Sequence, residues 1–381
     1  MLKVSKRGLI PPFIVMDVMR AANERAAAGE DVIHLEVGQP STPAPRRVLE
    51  AAKRALDNQL LGYTDALGIP PLREKIAGYY QTRYGIAIDP ARIVATTGSS
   101  GGFLLAFLSA FDAGDKIGLA SPSYPAYKNI IVALGLNAVD IPVGPSSHFQ
   151  PTPKLLEPFA SELDGLVIAS PSNPTGSMID AAGMEAISSW CGRNEIRLIS
   201  DEIYHGITYG DAAETALARS QDVVVVNSFS KYFSMTGWRL GWMVVPENIL
   251  RAVECLAQNM FISPPSLSQT AVLEVFDCFG ELDENVARYA VNRDLLLNEL
   301  PSAGIDNLAP SDGAFYIYAD VSHLTDDSTE FCRRLLAETG VAITPGADFD
   351  SAQGQSSIRM CYAGAADDIT RAASRLKDWL S

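Results

Sequence analysis

Histidine and cysteine are scarce in this sequence, and neither is arranged as in metal or disulfide sites. The four histidines show no metal-ligand spacing, so we expect no bound metal. The five cysteines are odd in number, widely spaced and free of any CxxC pair, which fits neither a disulfide framework nor a zinc site. A reducing cytoplasm is therefore the expected compartment.

Positive charge and long apolar runs are also in short supply. The chain has 30 lysines and arginines against 45 aspartates and glutamates, a formal net charge of −15. This charge repels a phosphate backbone and no dense basic run offsets it, so we expect no nucleic-acid partner. No uncharged apolar run approaches the ~18 residues of a membrane span, and Pro11-Pro12 interrupts the apolar stretch at residues 9–16. We therefore expect neither export nor a membrane partner.

The sequence does contain a regular alternation of short apolar runs and longer amphipathic ones. The apolar runs predict strands at residues 93–96, 116–120, 138–141, 165–169, 197–200, 223–227 and 240–245. Helices are predicted between most of them, at residues 102–111, 126–134 and 181–193. Strands separated by helices predict an α/β fold, with a largely parallel sheet flanked by helices on both faces.

The two ends of the chain predict a smaller α+β domain. A chain of 381 residues exceeds the size at which one core usually stops growing, so we expect two domains. Outside the alternating region, helices are predicted at residues 13–28, 282–300 and 366–380, and strands at 314–320, 341–344 and 357–362. We therefore predict a large domain at residues 46–280 and a small domain formed by residues 1–45 and 281–381.

Polar residues that directly follow strands are the first candidates for a site, because open α/β sheets bind ligands beyond the carboxyl ends of their strands. After the first strand, small residues including Ser99, Ser100 and Gly101 open a helix, whose free N–H groups suit a phosphate. An ordinary helix cap explains these residues equally well. Asn173 follows a later strand in a proline-rich turn, and turn chemistry accounts for the prolines better than for the asparagine.

Two further strand ends carry charged residues. Asp201 and Tyr204 follow one strand, where an aspartate often only caps a helix. Lys231 follows a strand that begins with four valines. It is bracketed by Ser228, Ser230 and Arg239. Most lysines are solvated surface charges, but that interpretation fits Lys231 poorly in such surroundings.

Together these residues resemble a known family. The set is Tyr63-Thr64, Pro122-Ser123-Tyr124, Asn173-Pro174-Thr175-Gly176, Asp201 with Tyr204, Ser228-Phe229-Ser230-Lys231, Arg239 and Arg359. The order and spacing of these residues, from about Gly38 to Arg359, are similar to those in the class I and II aminotransferases, which are fold type I of the pyridoxal-phosphate enzymes. The resemblance covers nearly the whole chain and implies an enzyme that transfers an amino group between an L-amino acid and a 2-oxo acid.

The resemblance implies pyridoxal 5′-phosphate as the cofactor, held on Lys231 as a Schiff base. Lys231 would also move a proton during the reaction, so desolvation and a nearby positive charge such as Arg239 should lower its pKa. Asp201 would pair with the protonated pyridine nitrogen. Asn173 and Tyr204 would form hydrogen bonds with the phenolic oxygen of the cofactor.

The remaining cofactor contacts are implied in the same way. Tyr124 would stack on the cofactor ring. The phosphate would be bound by Ser99, Ser100, Gly101, Ser228, Ser230 and Arg239. In the family, a tyrosine at the place of Tyr63 reaches the phosphate from the neighbouring subunit. The resemblance therefore implies a homodimer with shared active sites.

Arg359 matches the family's arginine for the substrate α-carboxylate, because a planar guanidinium makes two parallel charge-assisted bonds to a carboxylate. A structural salt bridge is the alternative. Gly38 fits the family's backbone contact to the same carboxylate. At the other end of the substrate, residues 10–14 offer apolar surface without charge, so we expect neutral or aromatic donors, although Arg7 or Arg20 could serve an acidic one.

Two other functions share parts of this pattern. A pyridoxal-phosphate-dependent C–S lyase that eliminates a β-substituent has the same fold and nearly every cofactor contact. A regulator that uses an aminotransferase-like domain to sense the cofactor needs a DNA-binding domain before it, and here the fold starts within the first few dozen residues. Of the three, the aminotransferase is the function that we predict.

Overall fold

The computed structural model of the chain describes residues 2–381, in which the strands form three sheets. The strands are β1 Ile33–His34, β2 Ile93–Thr96, β3 Lys116–Ser121, β4 Asn137–Pro142, β5 Gly165–Ala169, β6 Arg197–Asp201, β7 Val224–Ser228, β8 Gly241–Val244, β9 Asn307–Leu308, β10 Tyr316–Asp320, β11 Val341–Ala342, β12 Thr344–Pro345 and β13 Ser357–Cys361. The α-helices are α1 Ile14–Ala27, α2 Arg46–Asn58, α3 Pro70–Tyr84, α4 Gly98–Ala110, α5 Pro125–Leu134, α6 Pro153–Leu156, α7 Ala181–Arg193, α8 Glu247–Met260, α9 Ser266–Val272, α10 Phe279–Ser302, α11 Ser328–Thr339 and α12 Ala366–Leu380. None of these helices is long and apolar enough to span a membrane.

The largest sheet has the strand order β2-β8-β7-β6-β5-β3-β4. Its strands are parallel except β8, which runs antiparallel to both of its neighbours, β2 and β7. Successive residues of a strand point to opposite faces, and here both faces are buried. In β5, Leu166 and Ile168 join one apolar cluster with residues of α7, whereas Val167 joins another with residues of α4, α5 and α8. The predicted α/β fold with helices on both faces is confirmed.

Two smaller sheets bring the chain ends together. β1 pairs in parallel with β11, and the remaining strands form an antiparallel sheet in the order β12-β13-β10-β9. The sequence predicted one strand at residues 341–344, but the structure divides this segment between β11 and β12, which belong to different sheets. The division into domains at residues 46–280 and at 1–45 with 281–381 stays a prediction.

The helix after the first strand of the large sheet begins earlier than predicted. It was expected from residue 102, but α4 begins at Gly98, so that Ser99 and Ser100 lie in its first turn. Gly98 has a φ of +75°, a conformation that glycine adopts without strain. The start of α4 also lies so close to Gly241 that a side chain there would contact the backbone of Gly98 and Ser99 at about 3 Å. Small residues at this junction therefore let the helix N-terminus approach the sheet.

Candidate active site

A cavity of about 200 Å³ lies where the carboxyl ends of the parallel strands face the N-terminal segment and β10 and β13. Most of the predicted site residues line it. They are Gly38, Ser99, Ser100, Tyr124, Asn173, Asp201, Tyr204, Ser230, Lys231, Arg239 and Arg359. Residues as distant in sequence as Gly38 and Arg359 thus meet at one place, at the carboxyl ends of the parallel strands, where open α/β sheets bind ligands.

Three predicted residues do not line this cavity. Ser228 lies behind Ser230, with 2.8 Å between the two hydroxyl oxygens. Gly101 is buried in the first turn of α4, where a side chain would overlap the hydroxyl of Thr97. Tyr63 is 84% exposed and makes no contact with the cavity of its own chain. Its contact across a subunit interface stays a prediction.

Lys231 stands just beyond β7 with its amine in the cavity. Its Nζ donates to the carbonyl oxygen of Gly38 at 2.6 Å and lies 5.8 Å from the ring centre of Tyr204. Burial, assisted by the positive charges of Arg359 and Arg239 and opposed by Cys361 and Asp201, lowers the pKa of Lys231 from 10.5 to about 8. At this pKa a useful fraction of the amine is unprotonated near neutral pH, so Lys231 can act as a nucleophile and as a base.

Asp201, at the end of β6, is a buried carboxylate without a cationic partner among residues 2–381. Its side chain is 4% exposed, and it accepts hydrogen bonds from the hydroxyl of Tyr127 and, at 3.0 Å, from the N–H of Ile203. Burial raises the pKa of Asp201 from 3.8 to about 6, although both hydrogen bonds oppose this shift. The bond from Ile203 is a local turn contact rather than a helix cap. The carboxylate is therefore suited to a positively charged N–H group in the cavity.

Arg359, in the middle of β13, is a buried guanidinium without a carboxylate partner in the described chain. It is 2% exposed and donates to Asn173 Oδ1 at 3.0 Å, to Thr344 Oγ1 at 3.2 Å and to the carbonyl oxygen of Glu36. Its Nε has no hydrogen-bond partner among residues 2–381. The alternative of a structural salt bridge is therefore wrong, because every acceptor of Arg359 is uncharged.

The same guanidinium is bracketed by aromatic rings. Its central carbon lies 4.5 Å from the ring centre of Tyr316 and 4.7 Å from that of Phe349. These contacts hold the planar group in one orientation while the cavity side stays open. A buried, oriented and unpaired guanidinium is suited to an anionic ligand such as a carboxylate.

Several hydrogen-bond donors lie together in the cavity wall at the N-terminus of α4. The free N–H groups of this helix start near Ser99 and Ser100, and the hydroxyl of Ser230 lies at the same wall. Arg239 lies against Gly98, where a side chain would come within 2.6 Å of its Nη2, and it donates to the carbonyl oxygen of Thr236 at 3.0 Å. A helix N-terminus together with an arginine is suited to a phosphate dianion.

Comparison with known proteins decides the family. Residues 30–376 match the family model described as aminotransferase class I and II. A valine–pyruvate aminotransferase from Mycobacterium tuberculosis (strain ATCC 25618 / H37Rv) is 54% identical over an alignment of 382 residues that covers 99% of this chain and 98% of that protein. The chain belongs to the class I and II aminotransferases. The enzymes of this family depend on pyridoxal phosphate.

Solved structures of other aminotransferases agree in fold over the whole chain. A crystal structure of an aminotransferase from Mycobacterium tuberculosis has a TM-score of 0.98 and 53% identity, and the match covers 100% of this chain and 99% of that one. The structure of the aspartate aminotransferase of Thermus thermophilus with maleate has a TM-score of 0.93 and 30% identity, and the match covers 99% of this chain and 100% of that one. The predicted aminotransferase function is confirmed, and the alternative of a C–S lyase is not favoured.

Several residues that line the cavity of this aminotransferase were not predicted from the sequence. Tyr127 contacts Asp201 and Tyr316 contacts Tyr204, yet both fit an ordinary apolar pattern in α5 and β10. For Tyr127 one signal was available, because it stands in the first turn of α5, three residues after Tyr124, which was already assigned to the site. Tyr316 had no comparable signal.

Glu202 and His205, beside the aminotransferase site, form a buried polar cluster that faces away from the cavity. One carboxyl oxygen of Glu202 accepts from Thr215 Oγ1 and from the N–H of Ala216, both at 2.9 Å, and the other has no hydrogen-bond partner in the described part of the chain. Burial raises the pKa of Glu202 from 4.5 to about 8. The ring of His205 donates from Nε2 to the carbonyl oxygen of Ser170 at 3.0 Å and accepts at Nδ1 from Tyr84 at 2.7 Å. Both ring nitrogens of His205 therefore have hydrogen-bond partners, as in a structural residue.

This cluster predicts an unusual dependence of stability on pH. The pKa of Glu202 is higher in the folded state, so its stabilising contribution is complete below pH 4.5 and is lost as the pH rises to about 8. Burial lowers the pKa of His205 to about 3, and its contribution is lost only below pH 6.5. We therefore expect Glu202→Gln to abolish most of the loss of stability between pH 6.5 and 8, on the order of 2 kcal/mol.

Urea unfolding of the wild-type protein and of Glu202→Gln at several pH values across this window measures the effect. The exposed residue Glu24 offers a matched control, because Glu24→Gln makes the same chemical change at the surface of α1. If the wild-type protein and Glu202→Gln lose stability equally between pH 6.5 and 8, Glu202 is ionised in the folded protein and this description of the cluster is wrong.

Proposed function

We propose that this aminotransferase holds pyridoxal 5′-phosphate on Lys231 and transfers the amino group of a neutral L-amino acid, with valine as the first candidate, to a 2-oxo acid such as pyruvate. The observation that carries the proposal is a set of three unpaired charges around one cavity. Among residues 2–381, Asp201 has no cationic partner and Arg359 has no carboxylate partner, and the amine of Lys231 lies in the same cavity. The cofactor and an amino-acid substrate together supply the missing partners.

Each chemical group of the cofactor has a suitable partner among the residues of the site. Asp201 would hold the proton on the pyridine nitrogen, and Tyr124 would cover the ring. Tyr204 and Asn173 would donate to the phenolic oxygen. The phosphate would be bound by Ser99, Ser100, Gly101, Ser228, Ser230 and Arg239. When bound, the cofactor supplies an electron sink and a carbon atom that accepts the amino group.

The chain's own residues supply the acid–base chemistry and the positioning. Nζ of Lys231 would take up the proton that leaves the substrate Cα, for which an amine with a pKa of about 8 is suited. Arg359 and the backbone of Gly38 would hold the substrate α-carboxylate and so fix which bond at Cα is broken. The surrounding buried side chains keep water away from this proton transfer.

The side-chain end of the cavity supports a neutral substrate. Phe13, Val15 and Met16 are apolar residues that line the cavity, whereas residues 10–12 are exposed and do not line it, so the predicted apolar segment is shifted by a few residues. Asp348 holds the segment in place by accepting from the N–H groups of Ile14 at 2.9 Å and Val15 at 3.2 Å.

Neither arginine that was considered for an acidic side chain lines the cavity. Arg20 pairs with Asp17 at 2.7 Å on the exposed face of α1, and Arg7 lies beside Gly135. The relative from Mycobacterium tuberculosis is named a valine–pyruvate aminotransferase, and this name agrees with a neutral apolar donor.

A donor screen tests this proposal. With pyruvate as acceptor, kcat/KM for valine should exceed that for aspartate at least about tenfold, because no cation at the apolar end compensates the desolvation of a second carboxylate. New alanine should form in step with the consumption of pyruvate. A strong preference for aspartate would overturn the substrate assignment. Fast release of ammonia from cysteine conjugates without an acceptor would overturn the transamination itself.

We also propose a homodimer in which Tyr63 of each chain reaches the phosphate of the other site. The near-complete exposure of Tyr63 in a single chain supports this arrangement. When Tyr63→Phe and Lys231→Ala chains exchange subunits, hybrid dimers should contain one fully native site, and activity should exceed the sum of the two separate mutants. No gain despite demonstrated subunit exchange would exclude shared sites.

A further inference from the structure

Two tyrosine hydroxyls meet in the wall of the cavity. The hydroxyl oxygens of Tyr204 and Tyr316 lie 2.6 Å apart, and both side chains are buried and line the cavity. Their rings meet edge to face, with 5.7 Å between centres. Tyr204 follows β6 and Tyr316 begins β10, so the pair joins the large sheet to the sheet that carries Arg359.

The hydrogens of this pair can be counted. Each phenol carries one hydrogen and accepts at its oxygen. The bond between the two hydroxyls uses one hydrogen, and neither hydroxyl has a second hydrogen-bond partner among residues 2–381. Because buried hydroxyl groups are normally satisfied, the second hydrogen is available to an acceptor atom within the cavity.

The surroundings of Tyr316 indicate which hydroxyl donates within the pair. Its oxygen is pressed against Gly38, where a side chain would overlap it, and the guanidinium of Arg359 lies over its ring at 4.5 Å. A positive charge beside a phenol makes it the stronger hydrogen-bond donor. This favours Tyr316 as the donor and Tyr204 as the acceptor, an arrangement that leaves the hydrogen of Tyr204 for an acceptor in the cavity.

We propose that Tyr316 is a positioning residue of this aminotransferase, whose hydroxyl directs the hydrogen of Tyr204 toward the phenolic oxygen of the cofactor and whose ring supports Arg359. The inference rests on the proposed function, because the contact of Tyr204 with that oxygen belongs to it. One residue thus acts on both ends of the reaction site, on the cofactor through Tyr204 and on the substrate carboxylate through Arg359.

Other titratable and charged groups face the pair from neighbouring elements. They are Lys231, Asp201, Tyr124, Cys361 and Arg359. All of them stay in place when only the hydroxyl of Tyr204 or Tyr316 is removed. Differences between such variants therefore report on the two hydroxyls.

The test is a pH titration of the visible absorbance of the cofactor-loaded protein, which measures a proton equilibrium of the bound cofactor rather than turnover. A donor to the phenolic oxygen stabilises its anionic form, so its loss should raise the midpoint of the titration. We expect an increase of about 1 pH unit for Tyr204→Phe. Tyr316→Phe should raise the midpoint by a smaller amount, about 0.3 unit, because it only weakens the donor.

The double variant separates an action through Tyr204 from an independent effect. Tyr204→Phe with Tyr316→Phe should have the same midpoint as Tyr204→Phe alone. Tyr318→Phe is the matched control, since Tyr318 is a buried tyrosine on the same strand and face but outside the cavity, and it should leave the midpoint unchanged.

A second pair of variants tests whether the ring of Tyr316 supports Arg359. Tyr316→Leu, which removes the ring, should raise KM for valine severalfold, whereas Tyr316→Phe, which keeps it, should leave KM nearly unchanged.

The outcomes distinguish this inference from the proposed function. If Tyr204→Phe moves the midpoint but Tyr316→Phe does not, or if the two shifts add in the double variant, Tyr316 does not act through Tyr204 and the inference is wrong. The proposed function stands in that case. If Tyr204→Phe leaves the midpoint unchanged, or the loaded protein has no visible band, the proposed cofactor contact fails and the inference fails with it.

Discussion

Lys231→Ala is expected to lower kcat by more than about 10³-fold while the protein still binds pyridoxal phosphate without a covalent bond. The substitution removes the nucleophile and also the base that accepts the Cα proton. No other lysine can replace it, because Lys231 is the one lysine that lines the cavity within residues 2–381. Single-turnover absorbance measurements with valine check the loss of proton transfer, and equilibrium dialysis checks retention of the cofactor.

Lys128→Ala is the control for this substitution. Lys128 pairs with Asp140 at 2.6 Å on the surface, and its loss should leave turnover unchanged. A Lys231→Ala protein that retains a tenth or more of wild-type activity would show that the Cα proton goes to another group. In that case the assignment of Lys231 as the base would be wrong.

Arg359→Ala is expected to cost about 2–5 kcal/mol in kcat/KM for every amino acid tried, because the substrate carboxylate loses a buried, charge-assisted partner. The loss should be the same for alanine, valine and phenylalanine, since Arg359 holds the part that they share. Arg359→Lys should recover little, because an ammonium group cannot form the two parallel bonds of a guanidinium. Steady-state kinetics with each donor measure both effects.

An amine without a carboxylate provides the sharpest control for Arg359. Isobutylamine, which is valine without its α-carboxylate, should react slowly with the wild-type enzyme and no more slowly with Arg359→Ala. If Arg359→Ala slows isobutylamine as much as valine, the arginine supports the structure of the site rather than the carboxylate. A loss that varies strongly with the donor side chain would contradict the assignment as well.

The sequence predicts the large sheet well because its strands are buried on both faces. Val224, Val225 and Val226 are all fully buried, and such a strand appears in the sequence as an uninterrupted apolar run. Outside the alternating region the helices predicted at residues 13–28, 282–300 and 366–380 are present as α1, α10 and α12, whereas α2 was not predicted. In α2 the buried positions other than Val48 are Ala51, Ala52 and Ala55, and alanine gives only a weak apolar signal.

The order of the strands depends on contacts that local sequence does not encode. β8 lies between β2 and β7 and runs antiparallel to both, although it is separated from β2 by most of the large sheet's sequence. Residues 341–344 look like one strand, but β11 and β12 pair with different partners. These features are decided by packing between distant segments.

Charged residues of the site could be predicted from the sequence, because a charge is unusual in an apolar context. Two tyrosines of the site could not be predicted, because tyrosine is common in apolar segments. Lys231 and Asp201 are charged residues at or just beyond the ends of apolar strands, so they stand out in the sequence, whereas Arg359 was assigned through the family resemblance. Tyr127 and Tyr316 are tyrosines in a helix and a strand that have many buried aromatic residues around them. Only the folded chain brings their hydroxyls to Asp201 and Tyr204.

Reduction of the purified, cofactor-loaded enzyme with borohydride tests the central claim most directly. If Lys231 carries the cofactor, reduction should convert the linkage into a stable secondary amine, and peptide mapping by mass spectrometry should find the pyridoxyl group on the peptide that contains Lys231. Brief reduction at limiting borohydride keeps exposed lysines from being labelled by free cofactor. A label on a different lysine, or an enzyme that turns over normally and acquires no label, would contradict the account.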